Sequence, residues 1–267
     1  MKPIRIGLTV LLVALLMAAP TVAQTLVLAT DDTPGDPYIM GGGTGFHPTL
    51  PGIEIELYQM VARQMDLTVT FLRLPWKRCL QELKYGRVDG VFPASYKPER
   101  EAIGIYPMKD GRPDFARSTR DGAYHLYRPR GSKLLWNGTA FELLEDSARE
   151  AIGVPLGWAI AGDLKQMGIQ ILERADPKDL LNMLAAGGLA GVVCLDTVID
   201  AYLRETPRAW TSIEKVDPPI LEKPYYLVFS LQFEAKYPGL PEKIWDRIAT
   251  IKGSEPYGKI IDRYTRQ

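Results

Sequence analysis

The chain has 267 residues, enough for one large domain or two smaller domains with buried cores. Lys and Arg together number 32, as do Asp and Glu, so the formal net charge is zero. No basic excess predicts a nucleic-acid partner, and no acidic excess predicts disorder. The hydrophobic fraction of 46% and the charged fraction of 24% are typical of a soluble globular protein, and composition alone selects no partner.

The N-terminus has the order of a secretory signal. Lys2 and Arg5 precede an apolar run that ends at Ala19, and small residues then lead to a cleavage site after Ala23. A membrane anchor is the weaker alternative, because the run is shorter than the roughly 20 residues that span a bilayer. No cysteine lies near the cut, which disfavours a lipid anchor. We therefore expect a cleavable signal peptide at residues 1–23 and a mature protein in the periplasm.

The cysteine and histidine content limits redox and metal chemistry. Cys79 and Cys194 lie among apolar neighbours in different parts of the chain, so we expect two free buried thiols rather than a disulfide. The only histidines are His47 and His125, and no cluster has metal-ligand spacing. The sequence predicts neither a metal nor another cofactor.

The first part of the mature chain alternates between strand and helix patterns. A Gly- and Pro-rich segment, residues 31–52, is too polar for a helix. Leu57, Met60 and Val61 then recur at helical spacing, which predicts an amphipathic helix. The predicted strands are Thr25–Thr30, Thr68–Leu74 and Val88–Phe92, and the predicted helices are Ile53–Met65 and Trp76–Tyr85.

The same alternation returns after residue 150 and predicts a second unit. Strands that alternate with helices of this length favour βαβ units and a largely parallel sheet. We expect strands Ala151–Pro155, Ile169–Glu173 and Gly191–Leu195, helices after Gly157, at Pro177–Ala186 and at Thr197–Leu203, then a strand from Tyr225, a helix through Ile244 and Ile251, and a short helix near Tyr257–Tyr264. The residues alone leave open which unit the C-terminal elements cover.

Three segments carry a resemblance to a known family. Residues 52–65, GIEIELYQMVARQM, have a glycine, two acids separated by apolar residues, and then an amphipathic helix. Residues 75–101 place an aromatic residue before a helix, then a Leu-x-x-Gly-x-x-Asp turn and a strand ending at a loop with Ser and Arg. Residues 233–264 are similar to the family's C-terminal segment. Together they resemble the family 3 periplasmic solute-binding proteins, the amino-acid-binding type that serves ABC transporters.

The resemblance implies an α/β fold with two lobes, the type II periplasmic-binding-protein fold. Each lobe would be a mostly parallel sheet flanked by helices, and two crossing segments would form the hinge. The implied first lobe is 24–118 plus 225–267, and the second lobe is 119–224. The implied partners are a small-molecule ligand and an ABC permease at the inner membrane, with no nucleic acid and with the protein as a monomer.

Arg100 and Ser95 fall where the family's residues bind the ligand's carboxylate. A guanidinium offers a rigid fork of donors that matches a carboxylate. Ser95 lies at the end of the preceding strand, where α/β sheets place ligand-binding loops, and its hydroxyl can bind the same anion. The alternatives are surface ion pairs for Arg100, which lies between Glu99 and Glu101, and an ordinary turn for Ser95.

Three further residues are implied to contact the ligand. Asp196 matches the family's acid that receives a ligand ammonium, and its alternative role is to cap the helix that begins at Thr197. Tyr38 and Trp76 match aromatic positions beside the ligand, where flat rings bury area with little loss of entropy. Core packing is the alternative for both rings.

Trp158 departs from the family's pattern. After Gly157, amino-acid binders usually carry a Thr at the start of the helix, where backbone donors and a hydroxyl meet a carboxylate. A large ring stands there in this chain. Either the pocket is smaller, or the ligand is aromatic, cationic or not an α-amino acid.

The expected function is capture of a small polar, amino-acid-like ligand by hinge closure and its delivery to an ABC permease, without enzymatic activity. One alternative is a periplasmic enzyme of the same fold, such as a dehydratase, with Glu54, Glu56 or Asp196 as a cleft acid whose pKa is raised. Another is a ligand-sensing module for a chemoreceptor or a histidine kinase.

Overall fold

The computed structural model describes residues 24–142 and 151–265. The predicted signal peptide, residues 1–23, lies outside the described residues. Among the helices of the described residues, none has the length and hydropathy needed to cross a membrane.

Thirteen strands alternate with eight helices in the described part of the chain. The strands are β1 Thr25–Asp31, β2 Thr68–Leu74, β3 Gly90–Ser95, β4 Gly104–Ile105, β5 Met108–Lys109, β6 Arg112–Pro113, β7 Arg120–Pro129, β8 Leu135–Trp136, β9 Phe141–Glu142, β10 Ile152–Pro155, β11 Ile171–Arg174, β12 Gly191–Leu195 and β13 Ile213–Ser230. The helices are α1 Ile53–Gln64, α2 Trp76–Lys84, α3 Ala159–Gln166, α4 Pro177–Ala185, α5 Asp196–Glu205, α6 Leu231–Lys236, α7 Leu240–Lys252 and α8 Glu255–Thr265.

Nine of these strands form one mixed sheet in the order β11-β10-β12-β7-β13-β3-β1-β2, with β4 beside β13. Strand β1 runs parallel to β2 and β3, and β10 runs parallel to β11 and β12, as the βαβ pattern predicts. Strands β7 and β13 are antiparallel to their neighbours. The two mostly parallel sheets expected from the sequence are therefore joined through β7 and β13 into one mixed sheet, and the predicted α/β fold class is confirmed.

Helices cover both faces of the sheet, and the buried residues form separate clusters. Leu28 and Ala29 are neighbours on β1 and point to opposite faces, so they belong to different clusters. We call this part of the molecule, with α1, α2 and α6–α8, the first lobe. A third cluster surrounds Val193 on β12, and this part, with α3–α5, is the second lobe. The exact residue boundaries of the lobes stay a prediction.

The C-terminal helices pack on the first lobe. Trp245 of α7 is fully buried with Tyr58 of α1, and its indole N–H donates to the carbonyl oxygen of Leu227 at 2.8 Å. Tyr264 of α8 donates to Glu56 and accepts from the backbone N–H of Gly52. These contacts answer the question that the residues alone left open, namely which lobe the end of the chain covers.

Two strands cross between the lobes, and the sequence pattern did not predict them at this length. Strand β7 pairs along β13 from Arg120 opposite Tyr225 to Pro129 opposite Ile213, with an irregularity between Val216 and Leu221. Strand β13 continues into the first lobe, where it pairs with β3. A pair of crossing strands is therefore shared by both cores, and it lies beside the cleft between them.

Both cysteines are buried free thiols. Cys79 belongs to a first-lobe cluster, and its Sγ donates to the carbonyl oxygen of Thr30 at 3.2 Å. Cys194 belongs to the second-lobe cluster. Burial raises the pKa of both thiols above the usual value, which keeps them protonated and unreactive.

Candidate ligand-binding cleft

A small cavity lies between the lobes, beside the crossing strands. Its first-lobe side includes Asp31, Trp76, Ser95 and Arg100, its second-lobe side includes Trp158, Ala159, Leu195 and Val198, and its floor includes Arg120, Tyr124 and Tyr225 of the crossing strands. The cavity volume is about 40 Å³. That is room for only two or three water molecules. A ligand of amino-acid size therefore requires the lobes to move apart before it enters.

Arg100 lies at the contact between the lobes. It belongs to the short 3-10 helix Pro98–Ala102 and is buried, with 6% of its surface exposed. Its Nη1 donates to the carbonyl oxygen of Ser95 at 2.8 Å, and its Nη2 donates across the cleft to the carbonyl oxygen of Gly157 at 3.4 Å. Both acceptors are neutral, so neither compensates the positive charge. The alternative of surface ion pairs with Glu99 and Glu101 does not agree with these contacts, because the guanidinium is buried and bonds to carbonyl oxygens.

Ser95 and Trp76 hold Arg100 in position. Ser95 is the last residue of β3 and lines the cavity, and its carbonyl oxygen also accepts from the hydroxyl of Tyr106 at 3.0 Å. Trp76 is the first residue of α2, and the centre of its ring lies 5.6 Å from the guanidinium carbon of Arg100. This is a cation–π distance. The structure thus brings together three of the predicted site residues.

Trp158 forms much of the second-lobe side. It follows Gly157, whose φ of +76° lies in the left-handed region that favours glycine, and it immediately precedes α3. Its ring packs against clusters of both lobes and makes an edge-to-face contact with Tyr124 at 6.4 Å. Of the explanations that the sequence left open for this ring, a smaller pocket agrees with the small volume of the cavity.

Tyr38 and Asp196 are outside the cavity lining formed by the described residues. The centre of the Tyr38 ring lies 4.7 Å from the guanidinium carbon of Arg120. Tyr38 therefore contacts a residue of the lining without belonging to the lining itself. Asp196 begins α5, and its Oδ1 accepts from the backbone N–H of Thr197 at 2.7 Å. Its Oδ2 lies 3.6 Å from Lys215 Nζ. Asp196 is the first residue of α5, Leu195 is the N-cap, and no side-chain capping bond is formed there, so the capping alternative is not supported. Contact of Tyr38 or Asp196 with a ligand stays a prediction.

With this geometry in place, comparison with known proteins identifies the family. The family model for bacterial extracellular solute-binding proteins, family 3, matches residues 26–267, nearly the whole chain. The chain belongs to this family. No curated protein matched the sequence.

Solved structures of similar proteins have the same fold. An ancestral arginine-binding protein bound to glutamine has a TM-score of 0.70 at 20% identity, covering 91% of this chain and 98% of that chain. The arginine-, lysine-, histidine-binding protein ArtJ from Geobacillus stearothermophilus has a TM-score of 0.69 at 16% identity over 91% and 96%. A histidine kinase sensor domain with similarity to periplasmic binding proteins has a TM-score of 0.71 at 21% identity over 91% and 96%.

These comparisons confirm two predictions, the family and the two-lobe type II fold. At such low identity the solved structures establish the fold alone. Membership of the family establishes that the chain is of a solute-binding type, and the family's description as extracellular agrees with export.

The family's signature acids have structural partners in this chain. Gly52 has a φ of +120°, and a side chain there would collide with the backbone of Tyr38, so only glycine fits. Two residues later, Glu54 is fully buried and accepts from Thr119 Oγ1 at 2.6 Å and from Arg120 Nε at 3.0 Å. Burial raises the pKa of Glu54, and Arg120 opposes that shift. The alternative of Glu54 as a cleft acid is not favoured, because the carboxylate is enclosed by this pair.

Arg120 is the cleft residue that sequence reasoning missed. It begins β7, only 6% of it is exposed, and it lines the cavity. Its guanidinium lies between the rings of Tyr38 and Tyr225, at 4.7 Å and 5.1 Å from their centres. Nothing in the local pattern RDGAYHLYRP indicates that Arg120 faces the cleft, since its partner Glu54 is 66 residues away.

Asp31 is a second residue that the prediction did not include. It ends β1 and is a carboxylate of the cavity lining. Burial raises the pKa of Asp31 from 3.8 to about 7, against hydrogen bonds from Thr33 that lower it. Below neutral pH the Asp31 side chain is therefore largely uncharged, and the lining there is dominated by the two guanidinium groups.

A wider groove adjoins the cavity at Thr33 and Pro34 and has a volume of about 780 Å³. It runs between the glycine-rich loop of the first lobe and helices α4 and α5 of the second. Asp36 of the loop and Arg204 of α5 approach to 3.7 Å across it. This groove lies between the two lobes, on the outer side of the cavity.

Proposed function

We propose that this chain is a periplasmic solute-binding protein that captures a small polar, amino-acid-like ligand between its lobes by hinge closure and delivers it to an ABC permease. Arg100 carries the proposal. It is a buried cation at the contact between the lobes, and its hydrogen bonds go to carbonyl oxygens of both lobes rather than to a carboxylate. A ligand carboxylate can replace these neutral acceptors and form the stronger, charge-assisted pair.

Closure follows from the position of this cation. Ligand bound to Arg100 on the first lobe presents a surface that Trp158 and its neighbours on the second lobe can cover. Contacts made only in the closed form shift the equilibrium between open and closed forms, and about 5.5 kcal/mol of preference carries the population from mostly open to mostly closed. The crossing strands β7 and β13 supply the hinge, near Thr119 and Tyr225, whose backbone hydrogen bond measures 2.7 Å. The permease would recognise the closed form.

A sensory role is the second candidate. It is supported by the similarity to a histidine kinase sensor domain, with a TM-score of 0.71. In that role the same closure would signal to a membrane receptor instead of loading a permease. Reconstitution with the candidate permease distinguishes the two, because ligand-dependent stimulation of ATP hydrolysis is expected only for transport. Catalysis is not part of the proposal, and consumption of a bound metabolite would count against it.

The test is calorimetry of the exported protein against amino acids, amines and small carboxylates. We expect at least one compound to bind well below millimolar concentration. Arg100→Gln should weaken that binding about 100-fold, because the ligand loses charge-assisted hydrogen bonds. Arg112→Gln, a change at an exposed arginine on β6, is the matched control and should leave the affinity unchanged. Absence of any binder, or equal binding by Arg100→Gln, would contradict the proposal.

A further inference from the structure

Arg120 has a donor that the fold does not use. Its Nε donates to Glu54, but its Nη1 is fully buried and has no hydrogen-bond partner in the described residues. A buried donor without an acceptor costs roughly 1–3 kcal/mol, more for a charged group, so such groups are rare and call for an explanation. Because Arg120 also lines the cavity, an acceptor supplied by a ligand would satisfy this donor.

The surroundings of Arg120 fix its orientation. The rings of Tyr38 and Tyr225 both contact the guanidinium, and Glu54 accepts from its Nε, so these contacts oppose its rotation toward another acceptor. Glu54 is itself fully buried and also accepts from Thr119. These contacts present Nη1 at a fixed place, as a preorganised donor does in a binding site.

Among the described residues, the second-lobe side of the cavity lining includes no compensating acid. Trp158, Ala159, Leu195 and Val198 line it with apolar atoms, and Asp196 is turned toward Lys215 and Thr197 instead. The carboxylate of the lining in the described residues is Asp31, on the first lobe. The lining thus includes two guanidinium groups. The hydrogen bonds of Arg100 go to carbonyl oxygens rather than to an acid, and Arg120 bonds to an acid, Glu54, through Nε.

We infer that Arg120 is a specificity-determining residue, and that the ligand is a small acid with two anionic groups, one bound by Arg100 and the other by Nη1 of Arg120. A dicarboxylate or an acidic amino acid has this chemistry. The inference rests on the proposed function and narrows its ligand class from polar to doubly acidic. A ligand ammonium is not required, since Asp31 is the one acid of the lining in the part of the chain that the structure describes.

The test compares each acid with its neutral amide, which has nearly the same shape. The pairs are glutamate with glutamine, aspartate with asparagine, and succinate with succinamate, titrated into the exported protein by calorimetry at pH 6. We expect the acid of at least one pair to bind about tenfold or more tightly than its amide, because a charge-assisted hydrogen bond replaces a neutral one.

Arg120→Gln alone leaves Glu54 buried without its cation and can fail to fold. The informative variant is therefore Glu54→Gln together with Arg120→Gln, in which two side-chain amides can still bond each other. In this double variant the preference for the acid should fall below about threefold, while the affinity for the amide stays within about threefold of the wild-type value. Glu54→Gln alone removes a negative charge but keeps the guanidinium, and should strengthen the preference for the acid.

Arg117→Gln is the matched control. Arg117 lies three residues from Arg120 and pairs on the surface with Glu242 and Asp246, outside the cavity, so its loss should leave the preference unchanged. Amides that bind as tightly as acids, or a preference that survives in the double variant, would overturn this inference while leaving the proposed function in place. If neither member of any pair binds and the wider panel also yields no binder, both fail.

Discussion

The two sides of the cleft differ in chemistry. The first lobe and the start of β7 contribute Arg100, Ser95, Asp31 and Arg120, whereas the second lobe contributes Trp158 and aliphatic side chains. Under the proposed function, the polar contacts to the ligand come from the first side, where buried contacts hold the donors in place. The second side would then be an apolar cover that excludes water on closure, which would strengthen each charged contact beneath it.

This difference changes how closure is understood. The sequence led us to expect a cation on one lobe and an acid on the other, which a zwitterion would draw together. In the structure the expected acid, Asp196, has other partners on its own lobe. In the proposed mechanism, closure would then be driven by burial of ring and aliphatic surface rather than by a charge pair across the cleft.

The largest effect on stability is expected when the buried cation Arg120 loses its carboxylate partner, Glu54. Glu54→Leu leaves the buried cation of Arg120 without its carboxylate, and breaking a buried pair in this way costs about 3–5 kcal/mol. We expect the free energy of unfolding, from urea denaturation, to fall by that amount. The double variant Glu54→Gln, Arg120→Gln should lose less than half as much. A loss below about 1 kcal/mol in the single variant would show that the pair does not support this side.

The apolar side should matter for binding more than for recognition of charge. Trp158→Ala removes a ring that covers the cavity, and we expect about tenfold weaker binding of whichever ligand the wild type takes. Trp158→Phe keeps a flat ring and should lose about threefold or less. The measurement is calorimetry of both variants, with the acid and the amide of one pair. If the Trp158 variants instead changed the preference for acid over amide without weakening binding, charge recognition would depend on the second lobe, which would contradict this account.

Binding of an acid should depend on pH near neutrality. Asp31, whose pKa lies at about 7, is uncharged below that pH and adds a negative charge to the cleft above it. A ligand anion that raises this pKa by one unit binds about fivefold more tightly at pH 6 than at pH 8. Calorimetry at both values, in buffers of different ionisation enthalpy, should show uptake of a proton on binding. In Asp31→Asn the pH dependence should be flat, and a slope that persists would exclude Asp31 as its source.

The same group affects the free energy of unfolding. Because burial raises the pKa of Asp31 in the folded state, the folded state holds this proton more tightly than the unfolded chain, in which the ordinary value of 3.8 applies. Its contribution to stability is therefore full below about pH 4 and is lost as the pH rises through about 7. Asp31→Asn should remove this component from the pH profile of urea denaturation.

The smallest effect is expected at the mouth of the cleft. Asp36 and Arg204 form a partly exposed ion pair between the lobes at 3.7 Å, and such pairs contribute about 0–1 kcal/mol. We expect Arg204→Gln to change ligand affinity by less than about threefold. Stopped-flow measurement of intrinsic tryptophan fluorescence should show the change mainly in the association rate and its salt dependence. A tenfold loss of affinity would place part of the binding site in the outer groove.

Much of the fold could be predicted because its strands and helices obey regular patterns. The strand Thr68–Leu74 and the helix from Ile53 have the bounds that β-branched runs and helical spacing indicate. Strand β7 and the first part of β13 were missed, because Arg120, Asp121 and the pair Pro218–Pro219 break the alternation on which such predictions depend. Their pairing with each other, which only the folded chain brings about, makes them strands.

The candidate site divides in the same way. Arg100, Ser95, Trp76 and Trp158 were predicted, because the resemblance places them in a recognisable segment or after a glycine, and all four line the cavity. Arg120 carries no local signal, since its orientation depends on Glu54 and on two rings distant in the chain.

The most direct measurement is a crystal structure of the exported protein with the tightest-binding compound of the panel. We predict one anionic group of the ligand on Arg100, a second within hydrogen-bond distance of Arg120 Nη1, and the ring of Trp158 covering both. A ligand that places an ammonium on Asp196 and leaves Arg120 Nη1 without an acceptor would contradict the account in which the first-lobe side binds the charged groups and the second-lobe side only covers them. So would a ligand seated wholly in the outer groove.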